Sequence, residues 1–300
     1  MTWRTQTLRM NDGTAVRVGS FGTDQGRPDC VFLPGLGDFL EKRTAIAERL
    51  EREGYRTFSL DWRGQGRSQR LGRHPKAAHL NGYDDLLADI DCLLEWRADE
   101  RPFWLLGYSM GGTAALLWRD SRQAVPAALV SPMLAMRLPM SEGLILMVAK
   151  AARLTGRARV FASGETASDP VGWKFDGNTI TDDAGRYEEL KGLLARHEGA
   201  LVTGTTWGWV EASIIAMRRA RSTKLARPER VLFVLAAGDR SVDPDGSSDF
   251  ATASGAPILR LDGNHDLFLS GEAVEDHLWV ELLRHVRSVT ADEGTGGSRT

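Results

Sequence analysis

Cysteine is almost missing from this 300-residue chain, which has only Cys30 and Cys92. Two thiols, one in a predicted buried strand and one in a predicted helix, make no disulfide framework and no zinc-ligand spacing, and they point to a reducing compartment. Long apolar runs are also missing: a bilayer span needs about 18 apolar residues, and the best stretch, 143–149, is far shorter. The start, Met1-Thr2-Trp3-Arg4-Thr5-Gln6, lacks the apolar core of a secretion signal. The expected location is therefore cytoplasmic, with any membrane contact peripheral and at the inner face. Charge of one sign is not in excess either. The net charge of −2 gives no electrostatic footprint for nucleic acid. Basic residues do gather at 63–73 and 218–230, either as solvated loops and helix faces or as a surface for anionic lipid head groups.

What is present is an alternation. With 42% hydrophobic and 26% charged residues the chain can bury a full core. Short apolar or alternating runs predict strands at 14–21, 30–33, 55–60, 103–106, 127–130, 231–237 and 258–261. Helical spacing falls between them, as in Leu86, Ile90, Leu93 and Leu94 of 84–97. Strands that alternate with helices pair in parallel through right-handed crossovers, so the expected class is α/β with helices on both faces of the sheet. The rhythm breaks between 132 and 227, where helical pieces are predicted at 142–154, 186–197 and 208–220 without a convincing strand. Too long for a loop, this segment reads as a helical cap inserted into a core formed by 1–131 and 228–289. Residues 290–300 read as a disordered tail.

The chemistry centres on Phe103-Trp104-Leu105-Leu106 running into Gly107-Tyr108-Ser109-Met110-Gly111-Gly112 and then Thr113-Ala114-Ala115-Leu116. A buried strand, G-x-S-x-G and a helix in succession place Ser109 on a sharp turn, with backbone N–H groups at the helix start aimed above it. A serine hydroxyl needs a base to take its proton, and the base needs a third group to fix its tautomer. In such folds the order is serine, acid, histidine, each at the C-terminal end of a strand. Asp239 follows strand 231–237, and His265 follows strand 258–261. His74, His79, His197, His277 and His285 do not sit just past a core strand. Asp243, four residues beyond Asp239, stays open as the acid, whereas Asp249 reads as a surface charge on a helix. For the developing oxyanion the elbow offers the Met110 N–H, and the loop Gly35-Leu36-Gly37 offers the N–H of Leu36.

These motifs resemble α/β-hydrolases, and more narrowly the bacterial lysophospholipases and their monoacylglycerol lipase relatives. The resemblance rests on the stretch 61–68 (Asp-Trp-Arg-Gly-Gln-Gly-Arg-Ser), on Tyr108-Ser109-Met110-Gly111-Gly112, on 238–243 (Gly-Asp-Arg-Ser-Val-Asp) and on Gly263-Asn264-His265-Asp266. It implies a Ser109, Asp239, His265 triad beneath a cap that covers an acyl site, with a small-molecule or lipid ester as partner and neither metal nor organic cofactor. Many members begin the oxyanion loop with His-Gly; this chain has Leu33-Pro34-Gly35. Substrate contacts are expected at Gly35, Tyr108, Met133 and Trp207, although Met and Trp residues of the cap can equally be ordinary core. The fold also serves small-ester esterases, amidases and perhydrolases, and a ligand-binding protein could keep the same residues.

Overall fold

The computed structural model describes residues 1–291; of the tail expected at 290–300, 292–300 lie outside the described residues, whereas 290 and 291 belong to the last helix, Glu272–Ala291. Among the described residues, eight strands build the main sheet. They are β1 (Arg4–Arg9), β2 (Ala15–Phe21), β3 (Asp29–Leu33), β4 (Thr57–Leu60), β6 (Phe103–Tyr108), β7 (Ala127–Val130), β9 (Val231–Ala236) and β10 (Ile258–Leu261), with β5 (Ala77–Ala78) and β8 (Gly204–Thr205) standing apart. Their order across the sheet is β1-β2-β4-β3-β6-β7-β9-β10. The pairs β1–β2 and β2–β4 are antiparallel; every later pair is parallel.

Strands covered on both faces must be nearly continuously apolar, and β6, β7 and β9 are, as is β3 after Asp29, whose buried carboxylate is paired with Arg56 and Arg97. Alternate residues go to opposite layers. Val31, Leu33, Leu105, Leu129 and Phe233 face one core. Cys30, Phe32, Trp104, Leu106, Val130 and Val234 face the other. The helices α1 (Thr44–Arg52), α2 (Tyr83–Arg97), α3 (Met110–Arg119), α7 (Pro244–Ser254) and α8 (Glu272–Ala291) cover these faces. In α2 and α8 the stripes Leu86-Ile90-Leu93 and Leu278-Leu282-Val286 are buried.

Two elements depart from expectation. Strand β1 is exposed along nearly its whole length and carries no apolar alternation. It exists through backbone pairing with β2, in the register Arg4↔Ser20 to Arg9↔Ala15, so hydrophobic patterning could not show it. The stretch 132–227 is not strand-free either: β8 (Gly204–Thr205) pairs in parallel with β5 (Ala77–Ala78) and stitches this segment to the loop after β4.

The helices between β7 and β9 are α4 (Glu142–Leu154), α5 (Ala184–Arg196) and α6 (Trp207–Ser222). Each starts on a side-chain cap: Ser141 accepts from the Leu144 N–H, Asp183 from the Arg186 N–H and Thr206 from the Trp209 N–H. Helix α6 lies between α4 and α3 and so joins this layer to the sheet. The loop 61–68 is pinned as its residues imply: the Asp61 carboxylate accepts from the Leu40 and Arg67 N–H groups, and Arg63 forks onto Asp89.

Candidate active site

Ser109 stands between β6 and α3 with φ 51° and ψ −117°, a conformation that side chains rarely adopt. Sterics explain its glycine neighbours. A Cβ on Gly111 would lie 2.0 Å from the Leu33 carbonyl oxygen, and one on Gly107 would lie 2.8 Å from the Gly112 Cα. The turn can be this tight only if both side chains are absent.

The ends of β9 and β10 bring the partners in. His265 Nδ1 is 2.7 Å from Asp239 Oδ2, and His265 Nε2 is 2.9 Å from Ser109 Oγ. With Nδ1–H donated to the carboxylate, Nε2 accepts from the serine hydroxyl. The other Asp239 oxygen accepts from the Ser241 and Val242 N–H groups at 2.8 and 3.0 Å, so the carboxylate cannot swing away. Asp243, the open alternative, instead caps α7 by accepting from the Asp245 N–H. His79 is buried against Thr206 and Asn81, whereas His197 ends α5. All three side chains of the chain Asp239, His265, Ser109 are buried, with Ser109 7% exposed.

Above the hydroxyl, Met110 is the first residue of α3, where an N–H has no acceptor in a preceding turn. In the loop after β3 the Gly35 N–H is taken by Asp38 and the Gly37 N–H by Gln65. Among the described residues the Leu36 N–H between them has no acceptor, and Leu36 lines the cavity over Ser109. Among the described residues, both amides named from sequence thus lack an acceptor.

Beneath this loop lies a buried ion network that the sequence did not reveal. Asp38 pairs with Lys42 at 2.7 Å and with Arg43 at 2.9 Å, and Arg43 also reaches Asp266 at 2.8 Å. Burial by itself would raise the Asp38 carboxyl, but Arg43 and Lys42 outweigh it and hold it at about 2. Arg43 stacks over the Tyr108 ring, and burial pushes the Tyr108 hydroxyl well up. The network ties the Leu36 loop, through Asp38, to the residue after His265. Only a Lys-Arg pair within a turn of Asp38 hinted at it.

A cavity of about 180 Å³ opens over Ser109, walled on one side by Tyr108 and His265 and on the other by Met133, Met136, Ile180 and Trp209. Tyr108 and Met133, two of the expected substrate contacts, thus line this cavity. Gly35 lies beneath, where a Cβ would come within 2.9 Å of the Tyr108 ring. Trp207 lines an adjoining cavity of about 230 Å³, whereas Trp209 borders the one over Ser109. Residues two apart on a helix point in nearly opposite directions, so only one of the pair can face the serine. Met136 and Trp209 line both cavities, and the second is walled mainly by apolar side chains, among them Leu138, Met140, Ile145 and Ile214. Among the described residues no group of three or more His, Cys, Asp or Glu is placed to hold a metal.

A mostly parallel sheet with a serine elbow at β6, an acid after β9 and a histidine after β10 defines an α/β-hydrolase of the serine hydrolase class. The chain belongs to the Hydrolase_4 family, described as serine aminopeptidase, S33, whose model matches residues 24–268. Lysophospholipase L2 of Escherichia coli K12 is 26% identical over 286 residues, covering 92% of this chain and 82% of the relative. The fold is shared with a soluble variant of monoglyceride lipase from Saccharomyces cerevisiae, solved with a substrate analogue, at TM-score 0.73 and 15% identity over 96% of this chain and 95% of that one. It is also shared with a thermostable carboxyl esterase from Bacillus coagulans, at TM-score 0.74 and 13% identity over 96% and 99%.

Proposed function

We propose that this chain hydrolyses carboxylic esters of single-chain lipids, as a lysophospholipase or monoacylglycerol lipase, through a Ser109, His265, Asp239 triad and an acyl-enzyme. The observation that carries the reading is His265 poised between Ser109 and Asp239, at 2.9 and 2.7 Å, beneath a chamber that adjoins a larger apolar one across Met136 and Trp209. In this reading His265 Nε2 takes the hydroxyl proton as Ser109 Oγ attacks the ester carbonyl. Asp239 holds the imidazole and stabilises its charged form. The Met110 and Leu36 N–H groups receive the oxyanion, His265 returns the proton to the leaving alcohol, and water activated by His265 then releases the fatty acid. Residues 132–227 act as the cap, with the acyl chain passing Met136 and Trp209 into the apolar cavity.

The aminopeptidase named in the family description would need a carboxylate to receive a free ammonium. Asp38 and Asp266 border the chamber, but Lys42 and Arg43 already engage them. A second reading, a small-ester carboxylesterase, has support in the modest size of the chamber itself, about 180 Å³. The scarcity of cysteine supports a cytoplasmic setting.

Steady-state turnover of an ester series, from short p-nitrophenyl esters to long-chain monoacylglycerol and lysophosphatidylcholine, beside Ser109→Ala, tests the proposal. Turnover that rises with acyl length and falls at least about 10⁴-fold in the variant is expected. Turnover confined to short esters would keep the triad and remove the lipid. Binding without turnover would leave a ligand-binding protein.

A further inference from the structure

Helix α4 is apolar on two sides. Its inner side, Ile145, Leu146, Ala149 and Ala152, is buried, as a helix packed on α6 requires. Its outer side should then be polar, and it is not. Leu144 (41% exposed), Met147 (61%) and Leu154 (88%) recur at helical spacing along it, and Met140 (50%) leads into it. Of the nine large hydrophobic side chains exposed among the described residues, five lie within 140–154. Such clustering differs from the scattered exposure that every surface shows.

The charges around this stripe are one-sided. Between 137 and 159 stand five basic residues, Arg137, Lys150, Arg153, Arg157 and Arg159, against one acidic residue, Glu142, in a chain whose net charge is −2. Arg218 and Arg221 neutralise Glu142, and Glu211 engages Arg153. Among the described residues Arg137, Lys150, Arg157 and Arg159 have no acidic partner. Lys150 borders the same shallow groove as Met147 and Leu154. The two basic runs that stand out in the sequence are, by contrast, largely engaged internally: Arg63 with Asp89, Arg67 with Glu41, Arg219 with Asp84 and Arg227 with Glu229.

We infer that the outer face of α4 docks on an anionic phospholipid surface, with Leu144, Met147 and Leu154 entering the head-group boundary and the free cations meeting lipid phosphates. An apolar stripe with one unpaired cation on the helix, Lys150, and three more flanking it in the chain, Arg137, Arg157 and Arg159, is what an interfacial helix needs. A second copy of the chain is a poorer occupant, because face-to-face docking would set the same four cations against each other. The site also lies where a lipid would enter. Met140, next to the stripe, and Ile145, on the inner side, line the apolar cavity that adjoins the Ser109 chamber.

Flotation of the full chain with vesicles of phosphatidylcholine, alone or mixed with phosphatidylglycerol, tests this. Binding to the anionic vesicles, weakened by salt, is expected. The pair Lys150→Glu and Arg157→Glu should lower partitioning about fivefold or more for each cation reversed. Met147→Glu with Leu154→Glu should abolish it, while each pair leaves turnover of a water-soluble short ester unchanged. Equal binding to both vesicle types, equal flotation of variants and parent, or no binding would overturn the inference. So would a dimer that forms without vesicles and is dispersed by Met147→Glu with Leu154→Glu. The readout is binding, so the result stands apart from whether the lipid ester is the substrate.

Discussion

The two walls of the chamber over Ser109 are held in different ways. On the sheet side directional bonds hold the groups that surround the two free amides: Asp239 is gripped by two N–H groups and His265, and the Leu36 loop is tied down by Asp38 and Gln65. On the side of the segment between β7 and β9, Met133, Met136, Ile180 and Trp209 present apolar surface and soft thioethers. Directional bonds and close approaches allow few arrangements; dispersion contacts allow many. The reaction is therefore expected to be unforgiving of change on the first wall, and substrate choice to be adjustable on the second.

The hardest strain on that contrast is Asp239→Asn. An amide there can hold His265 only in the wrong tautomer, so kcat should fall about 10⁴-fold with the melting temperature nearly unchanged. Loss of less than tenfold, measured on a short ester, would mean that the sheet wall is less determined than its hydrogen bonds imply. Asp38→Asn comes next. It removes the charge that Lys42 and Arg43 surround, leaves Arg43 half-paired and should cost about 2 kcal/mol at neutral pH. The sign follows from a carboxyl held at about 2 against an ordinary value of 3.8: its stabilisation is complete above the ordinary value and lost as pH falls toward the lower one. Urea midpoints of parent and variant should differ by a constant amount above about pH 5 and converge toward pH 2. A gap that persists in acid would show that shape, not charge, holds the loop.

The same contrast explains what could be read in advance. The meeting of Ser109, Asp239 and His265 was legible because each of them follows a short, mostly apolar strand within a few positions. Met110 stood out as the residue after the elbow serine, and Leu36 because glycines flank it. Strand β1 was not, since RTQTLR offers no apolar face and only the partner backbone defines it. The network of Asp38, Arg43 and Asp266 was not, because its members are more than 220 residues apart at the extremes and meet only through the fold. Which of Trp207 and Trp209 borders Ser109 was not legible either, because composition marks an aromatic segment, whereas the facing residue depends on helix rotation. The buried stripe Trp209, Ala212, Ala216 and Ala220, read at helical spacing, would have separated them.

Trp209→Ala probes the softer wall. Removing an indole that borders both cavities should raise KM for long-chain esters about tenfold, as loss of roughly 1.5 kcal/mol of apolar contact would, and change short esters little. Trp207→Ala touches only the second cavity and should shift the chain-length optimum without affecting the short esters. Equal effects of the two on every ester would deny that the chamber over Ser109 and its apolar neighbour act as separate compartments.

The smallest effect is the most discriminating for the sheet wall. Asp243 lies four residues past Asp239 and was the alternative acid, but its carboxylate caps α7 through the Asp245 N–H at 3.3 Å. A capping carboxylate replaced by alanine costs about 1 kcal/mol of stability and leaves an active site elsewhere intact. Asp243→Ala should therefore lower the urea midpoint slightly, with kcat unchanged on any ester. If kcat instead fell as far as in Asp239→Asn, both carboxylates would be acting on His265, and the fixed hydrogen bonds of Asp239 would describe only one of two working arrangements.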